Sequence, residues 1–414
     1  MIIIIGGGIS GLNVGIKLLD KYEDVVIYEK SNYLGGRIYT MNHKIGQKKI
    51  QYECGAARFN KNHKQIISLI KKYGLEKNMY KLDKGWATIF TKPINSNYFD
   101  NFNDLLIDLY RKTKKISKKK LQNTTLLELC KIIYDSKTTE FLKHSYPYYS
   151  ELAVLNSYDA LSLLEKDMND SHTFYILNGG LSVLIDEMKK DFIKKGGKIK
   201  LGYKLDDFTE NNLGFECKFT HEKNKNKFEK CNSLILACDG ENLKKMKPLK
   251  RLGLSELINS VKCEPLYRMY AVYKECWFKD IPKIVTNENI KYIIPIDYDS
   301  GLIMISYTDG AYSKKWKKII DNDDKNNTRQ KKELNRQLDL IFPGLKIEDP
   351  KHIYNHYWNH GACYWKKGVN SDKLKTKILK PTKHNLYICG DSYSSRQAWM
   401  EGALDTSNEI LKFF

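Results

Sequence analysis

Apolar and polar residues follow several distinct periods along this chain, and each period predicts an element. Ile2–Ile5 is an unbroken apolar run, the pattern of a short strand buried on both faces. Leu12–Lys21 has helical spacing, and Val25–Tyr28 is a second apolar run of strand length. An amphipathic helix is predicted near Lys64–Tyr73, where apolar positions recur every three or four residues. Lys198–Leu205 reads as a strand and Ser233–Cys238 as another buried parallel strand. Tyr267–Tyr273 and Leu302–Tyr307 read as alternating strands, and Ile353–Trp358 reads as a strand as well. Asn178-Gly179-Gly180-Leu181 opens a further helix, and Asp321–Asn327 is a polar loop. From about Tyr80 to Ser171 the pattern changes to short strands and lysine-rich helices, and no internal repeat is evident. Buried strands alternating with helices place the chain in the α/β class.

The turn between the first strand and the first helix narrows that class. Gly6-Gly7-Gly8-Ile9-Ser10-Gly11 has the G-x-G-x-x-G spacing, with no spare residue on either side. Gly6 allows the tight turn, Gly8 lets the backbone approach a pyrophosphate, and Gly11 lets the helix lie close to the strand. The phosphates then rest on the unsatisfied N–H groups of the helix start, at Ile9 and Ser10. Glu29, followed by Lys30, ends the second strand, where a carboxylate accepts from a ribose hydroxyl. A bound dinucleotide is implied.

A length of 414 residues suits two or three domains with a sizeable core. Nine cysteines, an odd number with no C-x-x-C pair, argue for a reduced compartment over a disulfide framework. The chain opens on its first strand and has no apolar stretch near ~18 residues, so a soluble protein, cytoplasmic or otherwise intracellular, is expected. The net charge of +21 invites a nucleic-acid role. Its densest runs, Lys114–Lys120 and Lys223–Lys230, fall between periodic segments and read as solvated surface or loops, without an RNA-binding motif or zinc-finger spacing. His352, His356 and His360 recur every four residues, but on a strand and without a completing acidic or cysteine partner, so no metal site is expected.

Ser31-Asn32-Tyr33-Leu34-Gly35-Gly36-Arg37 follows Glu29, and Leu386-Tyr387-Ile388-Cys389-Gly390-Asp391 precedes Ala398-Trp399-Met400-Glu401-Gly402-Ala403-Leu404. In that order the two stretches resemble the opening and closing signatures of the flavin-containing amine oxidoreductases: monoamine oxidases, polyamine oxidases and L-amino-acid oxidases. The resemblance implies FAD and a discontinuous Rossmann-like FAD domain of residues 1–78, 172–262 and 380–414. A mixed-sheet α+β substrate domain would comprise 79–171 and 263–379. It also implies cofactor contacts from Gly36, Arg37 (to the phosphates), Ala57, Arg58, Leu205 (backbone, at the adenine edge), Gly390, Asp391, Trp399, Met400 and Ala403.

The resemblance names substrate-side residues too. Trp399 falls at one position of the aromatic pair that flanks the amine. Tyr364, within Trp358-Asn359-His360-Gly361-Ala362-Cys363-Tyr364-Trp365, matches the other, although the altered spacing leaves Trp365 as a second choice. Cys363 aligns with the cysteine that monoamine oxidases join covalently to the flavin; non-covalent FAD is the preferred reading. Gly55-Ala56-Ala57-Arg58, followed by His63, is similar to L-amino-acid oxidases and tryptophan monooxygenases, in which the arginine forks onto the substrate carboxylate. A cofactor contact or a structural ion pair is the other reading of Arg58. Arg268 occupies the place of the family's lysine at flavin N5, and three uses stay open: superoxide stabilisation, an acidic substrate, or a weak oxidase. The implied activity is FAD-dependent oxidation of an amine, with an L-amino acid preferred, a small-molecule substrate and O2 as partners, and H2O2 as product. The alternatives are a simple amine or polyamine oxidase, a non-oxidase flavoprotein of mutase or desaturase type, and a basic structural protein retaining FAD.

Overall fold

The computed structural model describes residues 1–82, 86–92, 94, 96–168, 173–223 and 225–414 of a mixed α/β protein. Five parallel strands form one sheet in the order Leu386–Ile388, Ser233–Leu236, Ile2–Ile5, Val25–Tyr28 and Lys198–Lys200. Every residue of the three strands Ser233–Leu236, Ile2–Ile5 and Val25–Tyr28 is buried, which explains why they read as continuous apolar runs. The helix Ile9–Leu18 packs against Met400–Glu409 and Ser182–Lys194.

A six-stranded sheet runs His352–Trp365, Val261–Val272, Leu302–Asp309, Tyr292–Asp297, Ile284–Thr286 and Ala87–Ile89. Val261 and Ala362–Trp365 belong to the core around the parallel sheet, whereas Tyr267, Met269 and Ala271 belong to a second core. The strand Val261–Val272 is therefore one continuous backbone shared by the two cores. Helices from Phe102–Thr113 to Ser157–Leu163 lie between the Ala87–Ile89 and Phe174–Leu177 strands in sequence.

Two expectations are corrected. Lys198–Leu205 is two strands: Lys198–Lys200 completes the parallel sheet, and Tyr203–Asn211 enters an antiparallel meander with Gly214–His221 and Asn226–Cys231. The break falls at Gly202, whose φ of +74° turns the chain out of one sheet and into the next. In its described residues the run Lys223–Lys230 is solvated surface that includes most of a strand, Asn226–Cys231, whose residues alternate in exposure. Cys263 and Cys363 face each other in register on adjacent antiparallel strands and form a disulfide, so the reduced reading fails for this pair. The spacing of 100 residues between them hid it, since sheet register is not visible in cysteine counting. The expected domain boundary at 171/172 lies outside the described residues. Among the described residues, no helix is long and apolar enough to cross a membrane.

Candidate active site

Two glycine loops meet at the start of the first helix. A Cβ on Gly6 would lie 2.4 Å from the Ala237 carbonyl oxygen, and one on Gly11 would lie 2.0 Å from the Gly6 carbonyl oxygen. These glycines permit close packing. Gly8 and Gly36 differ, since a Cβ on either would meet no atom closer than 3.8 Å. Gly8 bridges to Gly35, whose N–H donates to the Gly7 carbonyl at 2.9 Å. No side chain caps the helix Ile9–Leu18. The result is a cradle free of side chains at the positive end of a helix, which fits a pyrophosphate. Glu29 rims it, accepting from the Gly7 N–H at 2.7 Å and the Ser31 N–H at 2.8 Å. Each carboxylate oxygen keeps a lone pair for a ribose hydroxyl.

The remaining cofactor candidates tie this cradle to the C-terminal segment. Arg37 pairs through both terminal nitrogens with buried Asp391, and its Nη1 also donates to the Gly361 carbonyl at 3.0 Å. Its guanidinium thus clamps three chain segments together beside the cradle. Ser10 Oγ donates to the Ala403 carbonyl at 2.6 Å, and the Gly390 N–H donates to Thr406 Oγ1 at 2.9 Å. Met400 and Ala403 are buried in the first turn of the helix Met400–Glu409. Lys30 is exposed, with Nζ 3.4 Å from Asn242. Leu205 is buried beside a bulge in the meander. The Ala56 N–H donates to the Arg37 carbonyl at 2.9 Å, which brings Ala57 and Arg58 alongside.

Arg58 opens the second part of the site. Its guanidinium donates to the Tyr148 hydroxyl at 2.9 Å and lies 4.5 Å from the Phe174 ring centre. Phe174 stacks on Trp399 at 6.1 Å, and Trp399 meets buried His63 edge-on at 4.8 Å. On the other flank Tyr148 packs against Tyr307 at 5.5 Å and Tyr292 at 6.4 Å. Arg268 lies 4.4 Å over the Tyr307 ring, and its Nη1 donates to the Glu53 carbonyl at 2.9 Å. Tyr364 is buried within electrostatic reach of Tyr148 and Tyr307. Burial holds the Tyr148 and Tyr364 phenols well above their usual pKa, so both stay neutral. Arg58, Arg268, Tyr364 and Trp399 therefore share one aromatic lining.

Trp365, the second choice for the aromatic pair, points elsewhere. Its indole N–H donates to the Ser394 carbonyl at 3.0 Å, on the opposite strand face from Tyr364. His356 is a packed side chain against Tyr52 and Cys54, held down to about 4 by burial and then by Arg268 and His43. Among the described residues no three potential metal ligands converge. Phe174, Tyr148, Tyr292 and Tyr307 were not anticipated. The cluster Tyr146-Pro147-Tyr148-Tyr149 is the single sequence signal that points to any of them.

A glycine cradle that fits a pyrophosphate, beside a buried aromatic cluster with two arginines, suits a cofactor-dependent redox enzyme. Residues 9–409 match the profile of the flavin containing amine oxidoreductases, and the chain belongs to that family. Its flavin would be held in the cradle of Gly6–Gly11 and Gly35–Arg37. Similar proteins include the uncharacterized protein R188 of Acanthamoeba polyphaga mimivirus, 33% identical over 26% of this chain and 24% of its own. A zeta-carotene desaturase of Capsicum annuum is 34% identical over 18% of this chain and 12% of its own. An L-amino-acid oxidase of Echis ocellatus is 31% identical over 20% of this chain and 17% of its own. The matches thus span about a quarter or less of these relatives' lengths. Because its Cβ would face open space, Gly8→Val should fold normally yet purify without flavin. The absorbance near 450 nm (~) of a folded, monodisperse preparation checks this; retained flavin would place the cofactor away from the cradle.

Proposed function

We propose that this protein is an FAD-dependent oxidase of a primary amine, with an L-amino acid as the preferred substrate. The observation that carries this reading is the position of Arg58 within the same lining as Trp399 and Tyr364. A forked guanidinium is suited to a planar carboxylate, and the rings exclude water around it. The L-amino-acid oxidases among its relatives add support. The FAD-binding domain comprises residues 1–78, 172–262 and 380–414 and is Rossmann-like; all five strands of the parallel sheet fall in these segments. The substrate domain comprises 79–171 and 263–379.

Flavin held by the Gly6–Gly11 and Gly35–Arg37 cradle would supply the redox chemistry, as acceptor of a hydride equivalent from the α-carbon and donor of electrons to O2 to give H2O2. This chain contributes alignment and desolvation. Arg58 anchors the carboxylate, Trp399 and Tyr364 flank the neutral amine, and neutral Tyr148 orients the Arg58 fork through its hydroxyl. The imine product hydrolyses to a keto acid and ammonia. A peroxide-coupled screen of the twenty amino acids and common polyamines tests the reading. Flavin that no amino acid or amine bleaches anaerobically would end it and favour a desaturase-type flavoprotein, a reading the zeta-carotene desaturase similarity keeps in view.

Non-covalent FAD is supported by the pairing of Cys363 with Cys263, which occupies the sulfur that covalent attachment would use. Precipitation with trichloroacetic acid should leave a colourless pellet and a yellow supernatant, and a yellow pellet would reverse the assignment.

A further inference from the structure

Arg268 is a cation buried to 5% exposure, and no carboxylate of the described residues forms an ion pair with it. Its Nη1 donates to the Glu53 carbonyl and its guanidinium meets the Tyr270 and Tyr307 side chains, but its Nε–H is buried without an acceptor. Glu53, an acid that feels the Arg268 charge, is engaged elsewhere: its carboxylate accepts from the Leu181 N–H at 2.6 Å and from Thr40 Oγ1 at 2.9 Å. The Arg268 guanidinium lies on the Tyr307 ring, and Tyr307 packs against Tyr148, the hydroxyl that holds Arg58. Two guanidiniums therefore border one tyrosine wall. A guanidinium cannot shed its proton when buried, so it demands an anion or a full set of acceptors. The protein supplies neither to Nε.

We propose that Arg268 is a second anion-recognition point of this pocket, and that the substrate is an amino acid with an acidic side chain. One carboxylate would pair with Arg58 and the other with Arg268. This rests on the reading of Arg58 given above. It also gives a physical account of why an arginine stands at this place on the strand Val261–Val272. A compact ammonium serves a single water or oxygen, whereas a fork matches a carboxylate.

The test is equilibrium binding of redox-inert ligands to the flavin-loaded protein, followed by calorimetry and by perturbation of the flavin spectrum. The ligands are glutarate, succinate, butyrate and 1,4-diaminobutane. Glutarate or succinate should bind at least ~10-fold more tightly than butyrate. In Arg268→Gln that advantage should disappear, so that the dicarboxylates bind no better than butyrate, while butyrate affinity stays within a few-fold. Arg268→Lys should restore part of it. Oxidation should follow the same order, with glutamate or aspartate ahead of leucine.

Equal binding of mono- and dicarboxylates by the wild-type protein would overturn the proposal and leave Arg58 as the sole carboxylate site. A variant that shifts the flavin midpoint potential but keeps the dicarboxylate preference would also overturn it, assigning Arg268 to the cofactor. Failure of the underlying reading looks different, for then no carboxylate binds and the diamine does.

Discussion

Arg58→Met should retain flavin and fold while losing roughly two to four decades in the rate of flavin reduction per unit of amino acid. The arginine lies in a water-poor aromatic lining, so its removal leaves a buried carboxylate unpaired, at a cost on the order of 3–5 kcal/mol. The decarboxylated amine of the same side chain never used the guanidinium and should be affected far less. Arg58→Lys should recover only part of the loss, because an ammonium cannot reproduce the fork. Stopped-flow reduction of matched acid and amine pairs checks this. Equal damage to both members of each pair, or an apo-protein, would reassign Arg58 to the cofactor and the enzyme to simple amines.

The second large effect concerns stability. Lys291 is fully buried behind the pocket wall, adjacent in sequence to Tyr292, and its Nζ has no hydrogen-bond partner among the described residues. Its ammonium lies 4.3 Å from the Tyr312 ring, among Asp309, Lys143, Lys315, Glu288 and His144. Burial lowers its pKa from 10.5 to about 7. The unfolded chain therefore binds the proton more tightly, and unfolding is favoured increasingly as pH falls from about 10.5 to about 7. At ~1.4 kcal/mol per pH unit the full penalty is ~5 kcal/mol, present below pH ~7 and gone above ~10.5.

Lys291→Met keeps the volume and the backbone conformation but carries no such proton. The variant should unfold at a higher denaturant concentration than the wild type at pH 6.5 (~), with the gap closing toward pH ~10. Asp309 acts on a separate, lower range. Burial raises it to about 6, so the stability it contributes is complete below 3.8 and is lost as pH rises to about 6. A gap that does not narrow between neutral and alkaline pH would show that Lys291 has an unrecognised partner.

The sequence made the nucleotide half of the site legible because that half is local. Gly6, Gly8 and Gly11 do their work within six residues of one another, and their packing is as the spacing predicts. The pocket is different. Tyr148, Phe174, Tyr292 and Tyr307 come from separate elements and meet only when the six-stranded sheet, the helices before Phe174 and the short sheet that pairs Phe174 with Asn60 come together around Arg58. A tyrosine lining a pocket and a tyrosine filling a core have the same local pattern, so periodicity cannot separate them. The Cys263–Cys363 pair and the turn at Gly202 were hidden for the same reason, since both depend on which strand lies beside which. Arg58, Arg268, Tyr364 and Trp399 became visible only through family resemblance, and the structure gathers all four on one lining.

The order of strands in the parallel sheet also bears on how the protein is made. Ile2–Ile5 is central, with Val25–Tyr28 available at once on one side, but its other neighbours are Ser233–Leu236 and then Leu386–Ile388. On a ribosome, the oldest strand waits for more than two hundred residues with one hydrogen-bonding edge unpaired. The Ser10 bond to Ala403 and the Arg37 clamp on Asp391 arrive later still. Nascent chains thus carry an apolar, unpaired edge until Ser233–Leu236 has been made, a state exposed to aggregation when elongation stalls. Truncations that remove only the final segment should do the same, because they strip the sheet of its last strand and the first helix of its partner.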